Sequence, residues 1–180
     1  FHTGLRADVT ITDTLTARVL AVNGWNNTLD NNTGKTFGAQ LTFAPSDAFS
    51  ITGGVLVGPE QPITQTITCE PGTSFDAPST SCLPSPGSAG GSNIVDVAGA
   101  DDRWRTLADL VVDVKPTENL RLLLNGTYVQ DRLPDATGQD RTVRWGGVSL
   151  MGRYAFSEVF ASALRGEAVF DPDGQISLPN

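Results

Sequence analysis

The chain has 180 residues, 39% of them hydrophobic and 18% charged, enough for one domain but with no run near the roughly 18 to 20 apolar residues that a membrane-spanning helix needs. Twenty acids against twelve bases give a net charge of −8, the wrong sign for a chain that would neutralise phosphates, so no nucleic acid is expected as a partner. His2 is the single histidine, and Cys69 and Cys82 are the two cysteines. They leave almost no material for a histidine triad or a Cys/His zinc site, and no catalysis, cofactor or metal is expected.

The dominant signal is alternation with period two, the signature of a strand with one greasy and one polar face. Leu5, Ala7, Val9 and Ile11 alternate with Arg6, Asp8, Thr10 and Thr12. After a turn at Asp13, Leu15, Ala17, Val19 and Ala21 alternate with Thr16, Arg18, Leu20 and Val22. The pair reads as an antiparallel hairpin ending at Asn23, Gly24 and Trp25. A polar stretch from Asn26 to Lys35 leads to Phe37, Ala39, Leu41 and Phe43, set against Gly38, Gln40 and Thr42. Pro45, Ser46 and Asp47 form the next predicted turn, and Phe49, Ile51, Gly53, Val55 and Val57 mark a fourth strand.

Residues 59–102, rich in Pro, Gly, Ser and Thr and lacking any hydrophobic period, read as an unusually long loop. Patterning resumes with Trp104, Thr106, Ala108, Leu110, Val112 and Val114 against Arg103, Arg105, Leu107, Asp109, Val111 and Asp113. Residues 116–119 turn the chain into Leu120, Leu122, Leu124, Gly126 and Tyr128, opposite Arg121, Leu123, Asn125 and Thr127. A loop is expected from Asp131 to Asp140. A seventh strand then carries Val148, Leu150, Tyr154 and Phe156 opposite Ser149, Met151 and Arg153. Beyond Ser157 and Glu158, an eighth sets Phe160, Leu164, Ala168 and Phe170 against Ala161, Ala163, Arg165 and Glu167.

Alternation alone suits a soluble barrel or sandwich as well as a membrane barrel. The distribution of polarity favours the membrane, because mid-strand charges recur on one face and need a wet surface. Connection lengths agree: four are a few residues long, while those at 24–35, 59–102 and 131–141 are long and hydrophilic, as in outer-membrane barrels. Phe43, Phe49, Tyr154, Phe156 and Phe160 flank the short turns, and Trp25, Trp104, Tyr128, Trp145 and Phe170 lie near the long-loop ends, a pattern expected of two aromatic girdles. An open edge in hydrocarbon leaves unpaired backbone groups at several kcal/mol each, so the strands must close into a ring. The predicted fold is an all-β, antiparallel up-and-down transmembrane β-barrel forming one domain over 1–180. The abrupt start at Phe1 reads as a fragment of a larger barrel with strands missing on both sides.

Gly4-Leu5, Asn23-Gly24-Trp25, the Asn-rich segment Asp30-Asn31-Asn32, Lys35, Gly58 with Glu60, and Phe170-Asp171-Pro172-Asp173-Gly174 together resemble the OmpL-like outer-membrane β-barrel porins. The resemblance implies a Gram-negative porin that passes small hydrophilic solutes. It does not name a solute.

Arg6, Asp8, Arg18, Arg105, Asp109, Asp113, Arg121, Asn125, Thr127, Arg153, Arg165 and Glu167 are the predicted pore-lining residues. Six arginines against four acids there point to a weak anion preference. Cys69 and Cys82 lie in an extracytoplasmic loop, where a structural disulfide is the expected state. That loop and its edges carry Glu60, Glu70, Asp76, Asp96, Asp101 and Asp102. Folded inward, these acids would face the arginine wall and set a transverse field; folded outward, they are simply solvated.

Three apparent motifs have plainer readings. Gly34-Lys35-Thr36 lacks the first glycine of a phosphate loop, whose place is held by Leu29. Asn26, Asn31 and Asn125 begin Asn-X-Thr triplets, but in a bacterial outer membrane no glycosylation is expected of them. Asp30 to Thr33 and Asp171 to Gly174 lack full calcium-ligand spacing and read as turns. The expected partners are the lipid bilayer of the outer membrane and small solutes, with homo-oligomers allowed. A barrel acting as an anchor or adhesin through its long loops explains the same strands.

Overall fold

The computed structural model describes residues 2–25, 32–79, 81–134 and 139–175. The alternating segments form the strands β1 (Gly4–Thr12), β2 (Leu15–Val22), β3 (Thr36–Ser46), β4 (Phe49–Pro59), β9 (Trp104–Val114), β10 (Leu120–Pro134), β11 (Asp140–Ala155) and β12 (Ala161–Phe170). They build one eight-stranded sheet in the order β1-β2-β3-β4-β9-β10-β11-β12, antiparallel at every pairing. Each strand lies beside its neighbour in the chain once the segment between β4 and β9 is set aside. This is the expected up-and-down wall of a barrel. The sheet is not closed, and β1 and β12 are its edges among the described residues.

Register keeps the two faces apart across the whole sheet. Val19 pairs with Ala7 and Ala39, Ala39 with Val55, and Val55 with Ala108, so one aliphatic surface runs across strand after strand. Slipping any strand by one residue would put its polar-face residues on that surface, charges included in β1, β2 and β9 to β12. Two irregularities fall next to short turns, between Thr10 and Thr12 and between Phe43 and Ser46. The second holds Pro45, which has no N–H to give to the ladder and is tolerated at such a bulge. Pro45 and Ser46 therefore end β3 rather than making the predicted turn.

The segment 59–102 differs from the expected irregular loop. It contains a two-stranded ribbon of β5 (Thr64–Cys69) with β8 (Gly91–Asp96), and a smaller one of β6 (Thr73–Asp76) with β7 (Ser81–Pro84). A 3-10 turn at Ala100–Asp102 returns the chain to β9. In the β5–β8 ribbon Ile94 shares a face with Thr64, Thr66, Thr68 and Ser92, while Ile67 and Val95 share the other with Gln65 and Asn93, so polar and apolar side chains mix on both faces. Cys69 and Cys82 are joined, as the sequence predicts, with Cα atoms 5.5 Å apart, and their bond ties the two ribbons together. Gly90, at φ 77°, passes so close to Cys69 that a Cβ there would lie 2.3 Å from its carbonyl oxygen. Only glycine fits that approach.

The bridge closes a chain separation of 13 residues, a loop size at which a cross-link contributes about 3 kcal/mol in the chain-entropy model. Reduction is expected to make residues 70–81 the preferred site of limited proteolysis while leaving the eight-stranded sheet protected. Equal cleavage rates with and without reductant would show that the ladder alone holds the ribbons.

The connection expected from Asp131 to Asp140 is also shorter than predicted, because β10 and β11 stay paired out to Pro134 and Asp140. Their extra length projects beyond the rest of the sheet at the long-loop end.

Candidate functional site

On the polar face the side chains form rungs across the sheet. The middle rung runs Asp8, Arg18, Gln40, Gly54, Asp109, Thr127 and Gly147 from β1 to β11. Arg18 donates to Asp8 through Nε and, at 3.2 Å, to Gln40 Oε1 through Nη1. Arg6 pairs with Asp8 at 3.0 Å. Asp109 Oδ2 accepts from Asn125 Nδ2 at 2.9 Å and from Thr127 Oγ1 at 2.6 Å. The next rung towards the short turns carries Thr10, Thr16, Thr42 and Thr52, with the last two hydroxyls 3.0 Å apart. Nearer those turns Arg121 forms a two-pronged pair with Asp113, and Arg153 lies opposite Arg121 in the ladder. At the β12 edge Arg165 pairs with Glu167 at 2.8 Å.

The polar face is not polar throughout. One rung above the middle, towards the long loops, Leu20, Gly38, Leu56, Leu107, Val129 and Trp145 succeed one another. Above that strip lies the most buried part of the molecule. Arg105 Nε and Nη2 both donate to Asp131 Oδ2, at 2.9 and 2.6 Å, and the guanidinium lies 5.5 Å from the Trp25 ring and 5.8 Å from the Trp145 ring. Asp131 is 1% exposed, and Val129 and Val143 beside it are equally buried. Cationic guanidinium between two indole faces is a favourable desolvated arrangement.

Carboxylates fasten the loops around this cluster. Glu60, also buried, accepts from the Trp25 amide at 2.8 Å and the Thr36 hydroxyl at 2.6 Å. Arg103 donates to Asp140 at 2.9 Å and to the Ala98 carbonyl at 2.8 Å. Asp101 accepts from the Thr33 hydroxyl, the Thr33 amide at 3.1 Å and the Gly34 amide at 3.2 Å. Glu60 and Asp101 thus bond to loop and strand-end groups instead of forming an acidic front against the arginines.

The Thr33 hydroxyl above all, then the Gly34 and Thr33 amides and the charge of Lys35, hold the Asp101 carboxyl below its ordinary value of 3.8, against a smaller opposing effect of burial. A carboxyl depressed by folding contributes stability that is present above its unfolded pKa and is lost as pH falls through the folded one. Asp101→Asn is therefore expected to weaken the 33–34 latch at pH 7, with the difference from the parent fading below about pH 4. Exchange rates of the Thr33 and Gly34 amides measure this. Equal exchange rates in Asp101→Asn and the parent at pH 7 would remove the carboxylate from the account.

The predicted aromatic tiers divide. Phe43, Tyr154, Phe156 and Phe160 lie exposed at the short-turn end, where Phe156 packs against Tyr154 and Phe160 with centroids 5.0 and 5.5 Å apart; Phe49 is half-buried beside them. At the other end Trp104, Tyr128 and Phe170 stand exposed, and Tyr128 and Phe170 flank Gly146 on the aliphatic face. Trp25 and Trp145 are corrected: both pack on Arg105 at the polar face. Trp145 pairs with Val129, an odd position of β10, and so shares the face of Asn125 and Thr127.

The sequence pattern puts Asp131 at the start of a loop, whereas in the structure it is the buried partner of Arg105. The signal lay in the unbroken alternation of Thr127, Val129 and Asp131 on one side of β10. Thr36 begins β3. Asp171 to Gly174 form a turn in which Gln175 N donates to Asp171 Oδ1 at 2.7 Å. Asn26, Leu29, Asp30 and Asn31 fall outside the described residues. No group of three or more His, Cys, Asp or Glu suited to a metal occurs among the described residues.

The sheet thus has one aliphatic face and one charged face, and fastened loops cap it at one end. The family described as "Putative beta-barrel porin-2, OmpL-like" matches residues 1–180. No curated protein and no solved structure matches the chain.

Proposed function

The chain belongs to this OmpL-like β-barrel porin family, and on that premise we propose that it forms the wall of a water-filled channel in the outer membrane of a Gram-negative bacterium. Small hydrophilic solutes and ions would pass it by diffusion, with wall side chains replacing part of their hydration. The carrying observation is the uncovered aliphatic face. Leu41, Val148 and Leu150 sit within the sheet, not at its edges, yet are 55%, 57% and 55% exposed. A contiguous apolar surface of this extent marks contact with something other than water, and lipid acyl chains match its chemistry. Between β1 and β12 the ladder pairs the backbone as hydrocarbon demands, and the two open edges call for further pairing in the bilayer. The predicted pore-lining residues other than Arg105, which Asp131, Trp25 and Trp145 enclose, then border the aqueous side, and the bilayer and small solutes are the partners.

Full-length protein in planar bilayers is expected to give discrete conductance steps. Protein that is folded by circular dichroism and inserted, yet produces no steps, would overturn the reading. That outcome would favour a membrane anchor presenting its cross-linked ribbon, a second reading supported by the exposed Ile94 on β8.

A further inference from the structure

We infer that a cleft in the middle rung of the polar face binds a small zwitterion with an aliphatic side chain, the chemistry of a free aliphatic α-amino acid; this rests on the porin reading for the cleft to face solute. Gly54 forms its floor, between Gln40 of β3 and Asp109 of β9. A Cβ at Gly54 would meet the Ala39 carbonyl oxygen at 3.4 Å and Gln40 Cβ at 3.5 Å, so a longer side chain would occupy the space. Without one, a cleft of about 210 Å³ remains, bordered by Arg18, Gln40 and Asp109 and by Leu20, Leu56 and Leu107.

The two ends of the cleft carry opposite charge. Arg6 and Arg18 share the one carboxylate of Asp8, leaving that cluster net positive. Arg18 uses Nε and Nη1 on Asp8 and Gln40, which leaves Nη2 for a ligand. Asp109 differs from Asp8, Asp113 and Asp131, each paired with an arginine. Both hydrogen bonds to Asp109 fall on Oδ2 and come from neutral groups; among the described residues no cation pairs with it. A charge left uncompensated beside a net-positive cluster makes a fixed dipole across the glycine floor.

The backbones of β2 and β9 are three strand spacings apart, about 14 Å, and Arg18 reaches over Gln40 to narrow that gap. A carboxylate would be drawn to Arg18 and an ammonium to Asp109, whereas an anion or a cation alone gains from one pole only. The leucines form the third wall. Leu20 and Leu56 close over Gly38, where a Cβ would lie 2.9 Å from Leu20 Cγ and 3.0 Å from Leu56 Cδ1. They offer a firm apolar surface to an aliphatic side chain.

Ligand-observed NMR titration of the full-length protein in detergent micelles tests this with L-leucine, isocaproate, which lacks the ammonium, and isoamylamine, which lacks the carboxylate. L-Leucine is expected to bind about tenfold tighter than either analogue. Arg18→Gln should erase its advantage over isoamylamine, and Asp109→Asn its advantage over isocaproate. Gly54→Leu should abolish binding with both charges in place. L-Leucine binding no tighter than the analogues, or an advantage that survives both charge substitutions, would overturn the inference; the wild-type series decides alone if a variant fails to fold. Conductance without a leucine preference would remove this site and leave the porin reading. Leucine preference without conductance would do the reverse.

Discussion

Replacing Arg105 with alanine is expected to destabilise the folded protein by about 3–5 kcal/mol, the cost of stranding one member of a buried ion pair. Asp131, 1% exposed, would be left with no cation beside it, and its Oδ1 already has no partner. Trp25 and Trp145 would also lose the group that lies against both rings. Urea unfolding from lipid vesicles, followed by tryptophan fluorescence, measures the loss. Replacing both members, Arg105→Met with Asp131→Leu, should recover most of it, because the double change removes the buried charge along with its partner. If Arg105→Ala unfolds at the parental urea concentration, the cluster is a surface decoration rather than the anchor of the long-loop end.

Arginine at Leu150 is expected to cost about 2–4 kcal/mol, whereas arginine at the adjacent Ser149 should cost little. Leu150 stands four residues from Tyr154 on one side and four from Gly146, which Tyr128 and Phe170 flank, on the other. It is therefore midway between the two aromatic tiers of the aliphatic face. Ser149 points the other way, between Asn125 and Glu167, where a new guanidinium meets a carboxylate and water. The same vesicle unfolding assay compares the two. Equal costs at both positions would mean that neither face contacts hydrocarbon, and the membrane reading would fall with the assignment of faces.

These contrasts could be drawn from sequence because strand alternation is local. Arg18 and Val19 face opposite ways whatever the rest of the chain does, and a hairpin turn at Asp13 sets Asp8 opposite Arg18. Membership in the porin family was legible in the same way, from short segments each readable in place. The ribbons β5–β8 and β6–β7 were not legible, since alternation shows only where one face is buried and the other is wet. Trp25 and Trp145 misled for a related reason. An aromatic near a strand end suits a bilayer interface and a loop cluster equally well, and only its parity within the strand and the position of Arg105 decide between them.

Taken alone, the order of residues determined the eight main strands, their two faces, the short and long ends, and the bridging of Cys69 to Cys82. Tertiary structure decided how the long-loop end closes, through Glu60 on Trp25, Asp101 on Thr33 and Arg105 on Asp131, partners separated by 35, 68 and 26 positions. It also decided that Asp109 alone among the mid-strand acids on the polar faces of β1, β9 and β10 lacks a cation among the described residues. Periodicity within a strand reports which way a side chain points, and carries no record of which distant side chain it will meet.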